Sequence, residues 1–235
     1  MNRIALIAAL PSELRPLVHH WTRQGGIATG RIGTLDAVAI AAGMGEAAVL
    51  RACEAVLGAR PDTLVSLGYA GSLSCGLRAP DAVAVREIID ARTGESFAAT
   101  TLSEQPAKGL KPQRLVTVDH VVNPEEKRLL AVKHEATLVD MEAATVARFA
   151  QQHDLGFVCI KAITDGPNDE LPDFNRFTTP EGRLRTAAFA AWALFRPQYW
   201  RVLGELEKNS RAAAQHLAKF VRDNFASTSP PASVI

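Results

Sequence analysis

Six short apolar runs, rich in β-branched residues and each ending near Gly, Asp or Pro, recur at residues 4–9, 37–42, 63–67, 82–89, 115–118 and 157–163. Such runs read as buried strands. Between several of them lie stretches of helical period, at 13–20, 46–57, 124–133 and 141–153. Strands alternating with helices need crossover connections, which predicts a three-layer α/β fold: a mostly parallel, mixed central sheet with helices on both faces. In such sheets ligands gather beyond the carboxyl ends of the strands, so chemistry is expected in the residues that follow each run.

The 235 residues read as one domain over 1–225 and a flexible tail over 226–235, where Ser, Thr and Pro dominate. Hydrophobic residues make up 47% of the chain, enough for a packed core, and 26 basic against 25 acidic residues leave a net charge of +1. That balance argues against a dedicated nucleic-acid binder, which carries a concentrated basic face. The first apolar run is too short to cross a bilayer, so no transmembrane segment and a cytoplasmic protein are expected. Cys53, Cys75 and Cys159 lack the spacing of a zinc site or a disulfide framework and read as buried thiols.

Five motifs fall where chemistry is expected. In Pro11-Ser12-Glu13, Ser12 is the expected helix cap. Gly43-Met44-Gly45 reads as a tight turn, or as a nest of backbone amides for an anion or a sugar hydroxyl. Gly68-Tyr69-Ala70-Gly71 reads as a turn after the strand at 63–67, its small residues letting a flat ligand approach the backbone. Asp140 and Glu142, on either side of Met141, fall on one side of an extended segment, with Glu142 in the first turn of the next helix. Thr164-Asp165-Gly166 ends the last strand. Taken singly, each has a plain structural reading as a turn, a cap or a charge placed on a helix dipole.

Half of the chain's aromatic residues crowd into 174–200: Phe174, Phe177, Phe189, Trp192, Phe195, Tyr199 and Trp200. Phe189, Trp192 and Phe195 repeat at helical spacing and predict one apolar face, either core, subunit interface or the wall of an apolar pocket. A long polar helix is predicted over 200–224.

The ordered set "IALIAALPSEL", "AAGMGEAAV", "LVSLGYAGSL", "VDMEAATVARFA" and "VCIKAITDGPND", spread over residues 3–169, resembles the purine nucleoside phosphorylase and nucleosidase superfamily. It is most similar to methylthioadenosine/S-adenosylhomocysteine nucleosidases and hopanoid-associated phosphorylases. The resemblance implies cleavage of the N-glycosidic bond of an adenine nucleoside, with adenosylhopane, which bears a large apolar 5′ group, as the leading substrate. Methylthioadenosine or S-adenosylhomocysteine is the alternative, and a noncatalytic nucleoside-binding protein is the reading from another class. No metal or organic cofactor is implied, whereas a homo-oligomer is; peripheral membrane contact stays open.

By the same resemblance Glu13 activates the attacking water, Met141 and Glu142 hold the ribose, and Asp165, with Thr164 before it, assists protonation of the purine N7. Tyr69, Ala70, Gly71, Val121, Val122 and Asp140 would form the base side of the pocket. Asp140 stands where the nucleosidases carry a second glutamate, and Tyr69 where they carry serine. These residue types suit the chemistry: bond cleavage builds positive charge on the sugar and negative charge on the base, so the sugar needs a carboxylate and the base a proton. A carboxyl group whose proton affinity is raised by burial is the expected donor at Asp165. Phosphate as nucleophile would need cations instead, for which Arg15, Arg31, Arg86 and Lys161 are the candidates. The choice between hydrolysis and phosphorolysis stays open, with Glu13 favouring water.

Overall fold

The computed structural model describes residues 3–100, 113–172, 174–177, 179 and 185–225. The tail at 226–235 lies outside them, as does the side chain of Phe174. The first half contains β1 (Arg3–Ala8), α1 (Pro11–Val18), β2 (Thr22–Gln24), β3 (Ile27–Ile32), β4 (Leu35–Ala41), α2 (Glu46–Leu57), β5 (Thr63–Ser72), β6 (Ala82–Asp90) and β7 (Ser96–Ala98). There follow β8 (Gln113–Thr117), α3 (Pro124–His134), β9 (Leu138–Asp140), α4 (Ala143–Gln152), β10 (Gly156–Asp165), α5 (Thr186–Leu194) and α6 (Trp200–Phe225). Short 3-10 turns at Phe174–Phe177 and Pro197–Tyr199 flank α5.

Strands β4, β1, β5 and β10 run side by side and parallel at the centre of a mixed sheet. Beyond β4 the sheet ends in the antiparallel strands β3 and β2. On the other side β10 pairs with β6, β6 with β8, β8 with β9, and β9 returns to β5. Those five strands therefore close on themselves, which leaves no open edge where the cavity will form.

Strand alternation sorts the core into two layers. Ile4 and Leu6 of β1, Val65 and Leu67 of β5, and Val158 and Ile160 of β10 pack with α1 and α6. Ala5 and Ile7, Leu64, and Phe157 and Cys159 face the opposite way and pack with α2 and α4. Helices thus cover both faces of the sheet. A smaller cluster of Leu73, Val116, Val122 and Val139 seats α3.

Each of the six apolar runs falls on a strand, those at 4–9, 37–42 and 115–118 overrunning its end by one residue, while β2, β3 and β7 went unread. The exposed Thr22–Gln24 and the three-residue Ser96–Ala98 have too little apolar pattern to register. In β3 the pattern breaks at Gly30, where any Cβ would stand 2.5 Å from the ring of Trp21. Three local expectations are corrected. Helix α1 starts at Pro11, with Leu10 as its N-cap, so Ser12 lies inside the helix and caps nothing. β5 runs on to Ser72, so 68–71 is strand rather than turn. Of the three thiols, Cys53 and Cys159 are buried and pushed up to about 12 by burial, but Cys75 is exposed.

Leu217 of α6 is fully buried against β1 and β10. Leu217→Ala should lower the unfolding free energy by about 2–5 kcal/mol, measured by urea titration, because the closed sheet behind it has little freedom to collapse into the hole.

Candidate active site

A cavity of about 330 Å³ opens at the carboxyl ends of the parallel strands, and residues from several segments distant in sequence line it. Glu13, from the first turn of α1, is 3% exposed. Its carboxylate accepts the backbone N–H of Leu10 at 2.7 Å and of Tyr69 at 2.9 Å, which ties α1 to β5. Burial raises its pKa above the ordinary carboxylate range, opposed by those two amides and by Lys161. Gly68 leaves the room this requires: a Cβ there would meet Glu13 Oε1 at 2.8 Å.

Glu142 is the N-cap residue of α4, one position ahead of the first turn expected for it. Gly45 N–H donates to its carboxylate at 3.3 Å. Gly43 and Gly45 both adopt positive φ, so the Gly43-Met44-Gly45 segment is a turn whose last amide serves the protein's own Glu142, while Met44 reaches the cavity. Burial and the neighbouring Asp140 push Glu142 up to about 7, although Lys161 opposes them.

Asp140 borders the cavity, but its oxygens are engaged within the protein. They accept Thr117 Oγ1 at 2.7 Å, Ala143 N–H at 2.9 Å and Lys161 Nζ at 2.7 Å. The Lys161–Asp140 pair is almost wholly buried, and the surrounding carboxylates raise the lysine pKa. A void of about 10 Å³, room for one water, lies among Glu13, Ser66, Glu142 and Lys161.

At the base side, β10 carries a bulge between Ile163 and Asp165, so Thr164 is an extra residue that re-aims the strand end. Thr164 Oγ1 donates to Asp165 Oδ1 at 2.9 Å, and Lys127 Nζ to Oδ2 at 2.5 Å. The buried carboxyl group is therefore not left among apolar neighbours, as its expected role assumed, but shares its oxygen with an ammonium. Gly71 is the matching small residue, since a Cβ would stand 2.8 Å from Asp165 Oδ2. Tyr69, Ala70, Gly71, Val121, Val122, Met141 and Thr164 all line the same cavity.

Sequence reasoning missed His120, Lys127, Leu171, Leu206 and Ser210, which also line it. Lys127 is one turn past Asn123, whose side chain caps α3 by accepting Glu126 N–H at 2.9 Å. Nothing in "PEEKRLLAVK" sets this lysine apart from a solvated helix face.

One further expectation is corrected. Arg15, Arg31 and Arg86 are exposed and outside the cavity lining, and Lys161 is committed to Asp140, so the anticipated phosphate cations do not converge. Among the described residues, none of the aromatic segment's side chains lines the cavity. Phe177, Phe189, Trp192 and Tyr199 pack against one another, while Phe195 falls beyond the end of α5 and is 79% exposed.

This architecture defines an α/β protein whose cavity, at the carboxyl ends of its strands, gathers several acidic side chains. The chain belongs to the Phosphorylase superfamily, whose profile matches residues 3–126 and 93–195. A 5'-methylthioadenosine/S-adenosylhomocysteine nucleosidase from Haemophilus influenzae (strain PittEE) is 28% identical over 163 residues, 58% of this chain and 71% of that one. Two solved Helicobacter pylori structures share the fold at 15% identity, each covering 95% of this chain and 97% of its own. They are a 5'-methylthioadenosine/S-adenosyl homocysteine nucleosidase with a TM-score of 0.71 and a futalosine hydrolase with 0.70.

A carboxyl group that holds its proton more tightly when folded stabilises the fold at low pH. This contribution is complete below the ordinary glutamate pKa and is lost as pH rises through the folded value, for Glu142 up to about 7. Glu142→Gln should flatten that decline, so that urea midpoints of native and variant protein differ less at about pH 5 than at about pH 7.5.

Proposed function

We propose that the protein hydrolyses the N-glycosidic bond of an adenine nucleoside and releases adenine. The observation that carries this reading is that Glu13, Glu142 and Asp165 border one cavity of about 330 Å³. Glu142 would accept the ribose hydroxyls and set negative charge beside the sugar as its cation develops. Met141 would pack against the ribose. Asp165 would serve the purine N7, with Val121, Val122 and Ala70 along the base.

Glu13 would take a proton from the attacking water. Burial raises its pKa and so makes it a stronger base than an ordinary carboxylate, and the one-water void beside Glu13 and Glu142 favours water as nucleophile. The absence of Arg15, Arg31 and Arg86 from the cavity lining speaks for the same choice over phosphate.

The volume is at the small end of the roughly 300–1,000 Å³ typical of ligand cavities, which favours a nucleoside with a compact 5′ group such as methylthioadenosine. One observation keeps adenosylhopane as a second reading: Leu194, Phe195 and Trp200 form an exposed apolar group ahead of α6, the helix that sends Leu206 to the cavity. A large hydrocarbon would have to leave the cavity and lie on the protein surface.

Incubation with adenosine, methylthioadenosine and adenosylhopane, each with and without phosphate, should give adenine and a free pentose at a rate independent of phosphate. Ribose 1-phosphate as product would overturn hydrolysis, and faster turnover of adenosylhopane would overturn the compact substrate. Asp165→Asn should reduce kcat by about 10²- to 10⁴-fold; an unaltered rate would remove Asp165 from the reaction.

A further inference from the structure

Lys127 is unusual among the helix lysines because it is 1% exposed and held at two points. Its Nζ donates to Asp165 Oδ2 at 2.5 Å and to the carbonyl of Gly166 at 2.6 Å. A purely structural ion pair would be sealed away from ligand. Here both partners border the cavity, and the loop just ahead of the lysine supplies Val121 and Val122 to the same wall.

We propose that Lys127 is a positioning residue that supplies, through Asp165, the proton by which the departing purine becomes neutral. This inference rests on the proposed adenine-releasing activity. The carboxylate cannot both remain an anion paired to the ammonium and deliver a proton unless one arrives from its partner. As the C1′–N9 bond breaks, its electron pair passes to the purine; Asp165 gives a proton to N7, and Lys127 gives one to Asp165. The lysine ends as a neutral amine, the aspartate is again a carboxylate, and the base leaves uncharged. Water forms the new C1′–O bond and yields its proton to Glu13. Because Lys127 lines the cavity, solvent can return its proton once adenine has left.

The bond to Gly166 has a part in this. It fixes Nζ at the turn that follows Asp165, so the ammonium stays in line with the carboxylate instead of wandering with its four-carbon stem.

The test compares two leaving groups. Adenine needs protonation to leave, whereas 4-nitrophenolate departs unassisted. Lys127→Met should lower kcat for the adenine nucleoside by about 10²- to 10⁴-fold, with KM little altered and hydrolysis of 4-nitrophenyl β-D-ribofuranoside essentially unchanged. Its residual adenine release should retreat to acidic pH, where solvent supplies the proton that the lysine no longer gives. Lys127→Arg keeps the charge and the fold but cannot give up a proton. It should lose adenine release as severely, across the whole pH range.

Equal losses on both substrates, or full turnover by Lys127→Arg, would overturn the proposal. Should Lys127→Met fail to fold by circular dichroism, the arginine variant decides alone. If the native protein releases no adenine from any adenosine derivative, the proposed function itself fails. If it does so and the lysine variants match it, only the role of Lys127 is lost.

Discussion

Four carboxyl groups, Glu13, Asp140, Glu142 and Asp165, crowd around one cavity, three of them almost fully buried. Unrelieved, such a cluster would not stay together: like charges repel strongly at low dielectric, and each ion also forfeits its hydration. The structure relieves it with two buried lysines. Lys161 neutralises Asp140 and moderates Glu13 and Glu142, while Lys127 sits on Asp165. Backbone amides of Leu10, Tyr69, Gly45 and Ala143 and the hydroxyls of Thr117 and Thr164 supply further donors. Within this balance burial still raises the pKa of Glu13 and Glu142 above the ordinary carboxylate range.

The fold serves that arrangement by controlling how closely backbone and side chain approach. Gly68 and Gly71 lie inside β5, where a longer residue would ordinarily pack better. Each leaves space for a carboxylate arriving from another segment, Glu13 at one and Asp165 at the other. The bulge in β10 turns the strand end so that Asp165 stands opposite Gly71. The parallel ladder between β5 and β10, which runs from Gly156 to Asp165, holds these relations fixed.

Much of this was legible in the residues, and what was not has physical reasons. The long strands announced themselves by apolar runs, and the layer of helices on each face followed from their alternation. The motifs at 11–13, 140–142 and 164–165 were ambiguous one by one, and only their order and separation along the chain marked them as one set. Gly68 to Gly71 were noticed for the right property, small size, but assigned to a turn, since a strand that spends glycines on foreign side chains looks locally like a strand that has stopped. Lys127 went unread, and Lys161 was weighed only as a cation for phosphate, not as the buried partner of Asp140. In a linear sequence a lysine on a polar helix and one at the end of an apolar strand carry no mark of burial, and their partners lie 38 residues away for Lys127 and on β9 for Lys161. The aromatic segment stayed ambiguous because helical spacing cannot tell rings that pack on one another, as Phe177, Phe189, Trp192 and Tyr199 do, from rings left exposed, as Phe195 is.

The helix α6 joins the site late in the chain. Asn209 donates to the carbonyl of Thr164 at 3.0 Å, and Leu206 and Ser210 complete the cavity wall. Its other turns bury Ala213, Leu217 and Val221 against the first strands. During synthesis on the ribosome the acidic groups of α1, α4 and β10 would thus be assembled before their enclosing wall exists. The nascent protein would hold an open, hydrated bowl until this final helix emerges and docks, so that competence for ligand and completion of the hydrophobic layer would arrive in a single event.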